Sequence, residues 1–104
     1  MENTTIIIRH REKIGENEYG EPEYSITEET VRAFVNPAGT MADVTLVEPG
    51  YTINDYFIIY LDPNISIDEN DEVVLSDGTE CVVRKVVHVD HPIKPLKRVV
   101  VRGK

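Results

Sequence analysis

A chain of 104 residues, 40 % of them apolar and carrying a formal charge of −8, has room for one domain with one core. One cysteine, Cys81, excludes an internal disulfide framework and a cysteine-rich zinc site. The acidic balance argues against a generic nucleic-acid binder, which needs a basic footprint to displace counterions. The first residues lack a basic segment followed by an apolar run, so a standard signal is not expected and a soluble protein of a reducing cytoplasm is.

Charge is segregated along the chain. Residues 1–35 hold eight acids and four bases, residues 36–80 hold ten acids and no Lys or Arg, and residues 81–104 hold seven bases and one acid. Such segregation suits either ordinary solvated faces or complementary contacts between copies.

Val and Ile dominate the apolar set, which favours strands. The run from Thr4 to Arg9 predicts a first strand. Gly15, Asn17, Gly20 and Pro22 punctuate the charged stretch from Glu12 to Glu23, which reads as a loop or a long hairpin tip. Tyr24 to Thr27 predicts a short strand, and Thr30 to Val35 a cleaner one with Val31, Ala33 and Val35 on one side. Asn36-Pro37-Ala38-Gly39 stops it. A long polar loop, 36–50, follows; loops of that length in small domains tend to be functional or disordered.

Tyr51 to Leu61 is the strongest predicted strand. Tyr56, Ile58 and Tyr60 fall on one face and Phe57, Ile59 and Leu61 on the other, so both faces are to be buried, within the fold or against a partner. After Asp62-Pro63-Asn64 and the acidic turn Asp68 to Asp71 comes a short strand, Glu72 to Leu75. Asp77-Gly78 predicts a tight hairpin into a long strand, Thr79 to Val89. Arg84-Lys85 interrupts its alternation and suggests a bulge or a switch of partner sheet. A turn from His91 to Pro95 leads to a closing strand, Leu96 to Arg102. The expectation is an all-β single domain over 1–104: a small antiparallel β-barrel or sandwich of about six strands with one long loop.

No constellation for catalysis stands out. His88, Asp90 and His91, with His10 as an outside candidate, are too few and too divergent along a strand to predict a metal site. Asp62 to Asp68 alternates oxygen ligands as a calcium loop does, but Ile67 and Val73 stand where Gly and Glu are required. Cys81 reads as a buried, inert thiol. No enzyme, cofactor or metal is expected. Tyr51, Tyr56 and Tyr60 suit ordinary strand packing or an interface stripe.

One pattern goes beyond fold class. A charged hairpin-like N-terminal region precedes Val31-Arg32-Ala33-Phe34-Val35, a polar loop, and an aromatic-rich strand ending in Leu61-Asp62-Pro63. Then come Asn70-Asp71-Glu72-Val73 and Asp77-Gly78-Thr79-Glu80-Cys81-Val82-Val83, with a basic strand at the end. From about Thr4 to Arg102 this resembles the head–tail joining (head-closure or stopper) proteins of tailed bacteriophages. The departures are Asn70 where Gly is usual and Cys81 at a usual aromatic position.

The resemblance implies a β-barrel subunit of a phage or prophage particle, located in the virion neck after assembly in the host cytoplasm. Its copies would form a homo-oligomeric ring that closes the DNA exit channel, meets portal or adaptor proteins on one side and docks the tail on the other. Subunits monomeric in isolation are compatible with it. DNA would pass without specific binding, and no membrane is involved. The resemblance also implies that the long loop, with Asn36, Pro37, Gly39, Asp43, Glu48, Pro49 and Gly50, projects into the channel, where its acids would repel phosphate. Tyr56, Tyr60, Arg84, Lys85, Lys97 and Arg98 are the expected subunit interface, with bases facing the acidic middle of a neighbour. Two other readings remain: a tail terminator or minor tail protein of the same kind of particle, and a nucleic-acid module of OB or SH3-like type.

Overall fold

The β-branched runs pair into one antiparallel sheet in the computed structural model, which describes residues 2–38, 47–90 and 93–104. Its strands are β1 (Glu2–Glu16), β2 (Pro22–Pro37), β3 (Tyr56–Leu61), β4 (Glu72–Val74), β5 (Glu80–Val89) and β6 (Leu96–Gly103). They follow the order β1-β2-β3-β6-β5-β4, and β4 returns to β1, so the sheet closes on itself as a barrel rather than splitting into a sandwich. The fold is all-β, as the strand pattern predicts; a single 3₁₀ turn at Ile53–Asp55 is the helical exception among the described residues.

Alternation decides what faces inward. Ile6, Ile8, Ala33, Ile59, Leu61, Val73, Cys81, Val83, Val99 and Val101 fill the barrel interior and are all buried. Loop 62–71 covers one end, with Ile67 in the core and Ile65 packed against it. The expected bulge is present: pairing of β5 with β6 slips between Val83 and Lys85, leaving Arg84 as the extra residue. The slip restores the inward phase, so Val86 packs against the core while Lys85 stays exposed. Without it Lys85 would point into an apolar interior.

Two boundaries differ from the sequence reading. Tyr24 to Thr27 and Thr30 to Val35 are one strand, and Glu12 to Glu16 belongs to β1, so the N-terminal region is a long hairpin turning only at residues 17–21. Asn17 makes that turn, its side-chain oxygen accepting from the N–H groups of Tyr19 (2.9 Å) and Glu21 (3.0 Å). Glu28 and Glu29 do not break β2, because they face Arg9 (3.5 Å) and His10 (3.4 Å) across the hairpin. At the other boundary β3 starts only at Tyr56, since the Thr52 N–H donates to Asp55 Oδ2 (2.7 Å) and winds the preceding residues into the 3₁₀ turn.

The Asp77-Gly78 turn joins β4 to β5 as expected. The Gly78 N–H donates to Leu75 O (2.9 Å), and Gly78 adopts φ +89°. Space is not the constraint there, since an added Cβ would meet nothing within 4 Å. Backbone strain is. Gly78→Ala is therefore expected to cost about 1 kcal/mol in denaturant unfolding, and Gly78→Asn less; an alanine variant as stable as the parent would show that the turn relaxes to negative φ.

Candidate functional site

Three surface features lie outside the barrel interior. The first covers the outer face of β3. Tyr56 and Ile58 point away from the core, yet they are 2 % and 0 % exposed. Ala38 and Val100 are buried with them, while Tyr51, Ile53 and Tyr60 pack around the group. The strand apolar on both faces is thus buried within its own chain, by the segment that leads into it.

Glu48 holds that segment down. Its Oε2 accepts from the Tyr56 hydroxyl (2.8 Å), and its N–H donates to the same hydroxyl oxygen (2.9 Å). Oε1 lies 2.6 Å from Arg84 Nη2 and 2.8 Å from Arg102 Nη1. The Arg102 guanidinium also stacks 3.9 Å above the Tyr51 ring. The Tyr56 hydroxyl, with Arg102 and Arg84 beside it, holds the Glu48 carboxyl below its ordinary value. Burial, with the Glu48 carboxylate adding to it, pushes the Tyr56 phenol up. The bulge that delivers Arg84 therefore also completes this cluster.

The second feature is a cleft of about 420 Å³ on the outer wall. Phe34 and Tyr60, paired across β2 and β3, line it together with Arg32 and Leu61. Lys94 and Asn64 stand at it as well. Arg32 sits opposite Thr5 on the barrel exterior and is exposed.

The third feature is the hairpin itself. β1 pairs with β4 only through Ile7, Ile8 and Arg9, and β2 pairs with β3 only from Phe34 onward. Between those points the two strands leave the barrel as a ribbon, and every residue of 11–30 is exposed except half-buried Asn17. Ile14 (63 %), Tyr19 (80 %), Tyr24 (47 %) and Ile26 (60 %) are large apolar side chains left in water there. Arg11 stacks on Tyr24 at 4.7 Å. At its base His10 Nδ1 lies 2.9 Å from Asp71 Oδ2, a carboxylate 4 % exposed.

The sequence-predicted site residues scatter over these features. Asn36 and Pro37 end β2, opposite Ile58 and Phe57. Gly39 and Asp43 lie outside the described residues. Glu48 carries the cluster above, and Pro49 and Gly50 form an exposed turn beside it, with Gly50 at φ +86°. Tyr56 is buried behind Glu48, whereas Tyr60 reaches the cleft. Arg84 is paired with Glu48 of the same chain, and Lys85 is exposed. Lys97 is only 7 % exposed and donates to Ile65 O (2.6 Å), tying down loop 62–71. Arg98 is half-buried, opposite Tyr60 in the β3–β6 register.

Arg32, Phe34, Lys94 and the four apolar residues of the hairpin were not singled out by sequence. The available signal was Tyr19 and Tyr24 amid charge, where a solvated loop has no need of aromatic side chains.

The weak chemical candidates are accounted for. Asp62, Asp68 and Asp71 accept hydrogen bonds from the N–H groups of Asn64, Asn70 and Asp68 respectively. His88 and Asp90 are exposed, and His91 lies outside the described residues. Among the described residues no group of three ligating side chains converges on a metal position, and no helix is long and apolar enough to cross a membrane. Burial, with the Asp77 charge adding to it, pushes the fully enclosed Cys81 thiol up to about 11, so it is protonated at neutral pH.

Comparison with solved structures finds the same fold at low sequence identity. The solution structure of protein SF1141 from Shigella flexneri superimposes with a TM-score of 0.70 at 14 % identity, covering 96 % of this chain and 90 % of that one. Protein xkdH of the phage-like element PBSX from Bacillus subtilis superimposes with a TM-score of 0.63 at 14 % identity, covering 100 % of this chain and 96 % of that one. No family model and no curated protein sequence matches the chain.

The Glu48 cluster makes a pH prediction. A carboxyl held below its ordinary value of 4.5 contributes stability that is complete above that value and is lost as pH falls through the lower folded value. The Tyr51 N–H, which donates to Glu48 O (3.1 Å), is expected to lose its hydrogen-exchange protection factor across that acid range. Glu48→Gln should show weaker protection at neutral pH and a flatter acid dependence. Tyr56→Phe should cost about 1 kcal/mol in denaturant unfolding. Acid profiles that coincide for the parent and Glu48→Gln would refute the assignment.

Proposed function

We propose that this chain is a structural protein of a phage or phage-like particle that forms a ring at the head–tail interface, closes the DNA exit channel and docks the tail. The observation that carries this reading is its whole-length fold likeness to xkdH, a protein of a phage-like element, combined with the head–tail joining resemblance of its hairpin motifs. A shared fold supports function only by analogy. The surface adds independent support, because an exposed apolar ribbon and an aromatic cleft on one small domain are features of a protein that works by contact.

In this reading the protein works without catalysis. Its place is the virion neck, between portal or adaptor proteins and the tail, and its acidic balance lets DNA pass without sticking. Glu48, near the end of the long loop, is paired with Arg84 and Arg102, which fixes that end of the loop against the barrel.

The cleft favours one second reading, a nucleic-acid module, since Phe34 and Tyr60 beside Arg32 and Lys94 are the residue types on which bases stack and phosphates pair. Electron cryomicroscopy of particles from the source phage or prophage, with the chain tagged, separates the readings. A ring of this chain between portal and tail is expected. A position at the tail end would favour the tail-protein reading, and absence from particles would overturn both. In parallel, a gel-shift titration with single-stranded and duplex DNA at low salt should show no complex; salt-dependent binding abolished by Arg32→Glu would instead favour the nucleic-acid module.

A further inference from the structure

We infer that the hairpin arm of one copy of this chain docks its tip into the Phe34–Tyr60 cleft of a second copy. The inference deepens the ring reading, on which it rests, by naming the contact between neighbours.

Residues 16–23 carry four acids, Glu16, Glu18, Glu21 and Glu23, of which Glu16 lies 3.6 Å from Lys13 of the same arm. At its apex Tyr19 is 80 % exposed, held on a turn that Asn17 fixes by hydrogen bonds to the Tyr19 and Glu21 N–H groups. A tyrosine presented on an ordered turn loses little conformational freedom on docking, which makes it an efficient anchor. The cleft offers a counterpart: Phe34 and Tyr60 line it together with the exposed Arg32, while Lys94 and one acid, Asp62, also stand at it. In a chain of net charge −8, an aromatic recess beside an exposed arginine suits an acidic, aromatic ligand, and the arm tip is one.

Geometry excludes the chain's own cleft. Pro22 and Arg32 lie ten residues apart on one strand, about 33 Å of ribbon at roughly 3.3 Å per residue. A paired ribbon does not fold back over that distance, so a cleft that this tip fills belongs to another copy. The reach also fits, because it matches the shorter extents of the molecule, 33 and 25 Å, and would carry the tip across one neighbour. Arm and cleft are different surfaces, so the contact is heterologous and repeats head to tail, which generates a ring when the rotation closes.

The test uses the intact chain, an arm variant (Tyr19→Ser with Glu18→Lys) and a cleft variant (Arg32→Glu). All the changes are at exposed positions, with folding checked by circular dichroism. Association is followed by sedimentation velocity up to about 1 mM, which populates even weak contacts, and the products are imaged by negative stain. The intact chain is expected to associate. Each variant should weaken association by about 30-fold, the effect of losing an aromatic or Arg anchor. A mixture of the two variants should stop at dimers, since each supplies one intact half of the contact and only one junction can form.

Rings formed equally well by the variants would overturn the arm–cleft contact and leave the ring reading standing on another interface. Open chains from the intact protein, lost in both variants and replaced by dimers on mixing, would support the contact and count against the ring. An intact chain monomeric at the highest concentration would overturn the contact, while the particle imaging above decides the ring reading independently.

Discussion

Closure of the barrel depends on β4, a strand of three residues, and β4 is held in place by Asp71 immediately before it. The Asp71 carboxylate is buried and accepts from the Asp68 N–H at 3.0 Å, with His10 Nδ1 at 2.9 Å, while its carbonyl accepts from the Val83 N–H at 3.2 Å. One residue thus joins loop 62–71, the base of the hairpin and β5. Arg9 and Lys104 reinforce the seam from outside, through Glu80 at 2.6 Å and Glu72 at 2.8 Å. Exposed pairs of that kind contribute little each. The buried carboxylate matters more, because removing its partners would strand a charge in the wall.

The arm follows from that seam. A closed sheet removes edges only where every strand has two neighbours. β1 and β2 are 15 and 16 residues long, against three in β4, so the surplus has no third strand to pair with and must leave the barrel. An unsupported two-stranded ribbon is marginal in water. Here it is anchored by continuity with the barrel and by cross-strand partners such as Arg9 with Glu28. Its open edges carry Glu12, Lys13, Glu23 and Glu28 amid the apolar residues, a charge pattern that discourages indiscriminate edge pairing.

Much of the barrel was legible in the sequence, because the rules there are local. Asp77-Gly78 specified its turn, two-residue alternation marked β3 and β5, the turn at His91 to Pro95 set off β6, and the break at Arg84-Lys85 marked the bulge. The arm was not legible, since glycine, proline and charge between Glu12 and Glu23 are equally the composition of a loop, and only long-range closure shows where pairing with β4 stops. Part of the charge map is likewise explained only by long-range pairing. Acids at 36–80 and bases at 81–104 suited either solvated faces or contacts between copies; an antiparallel barrel also lays β5 and β6 against segments that carry some of those acids. Glu48 meets Arg84 and Arg102, and Glu72 meets Lys104, within one chain. Exposed charges remain on the arm, at Glu18 and Glu23, and on the barrel wall, at Arg32.

That remainder bears on how an acidic protein could associate with itself. A net charge of −8 opposes association on average, yet the opposition is a long-range term. At physiological salt the Debye length is about 8 Å, well short of the 25–33 Å shorter extents of the molecule, so repulsion between the bodies of neighbouring copies is largely screened. An acidic tip seated beside Arg32 would act inside that length and keep its attraction. The same screening penalises non-specific contact less than it would at low salt, leaving orientation to be set by shape and by the one place where signs differ. With the long-range repulsion screened, local charge and an aromatic anchor are what would select which surfaces meet.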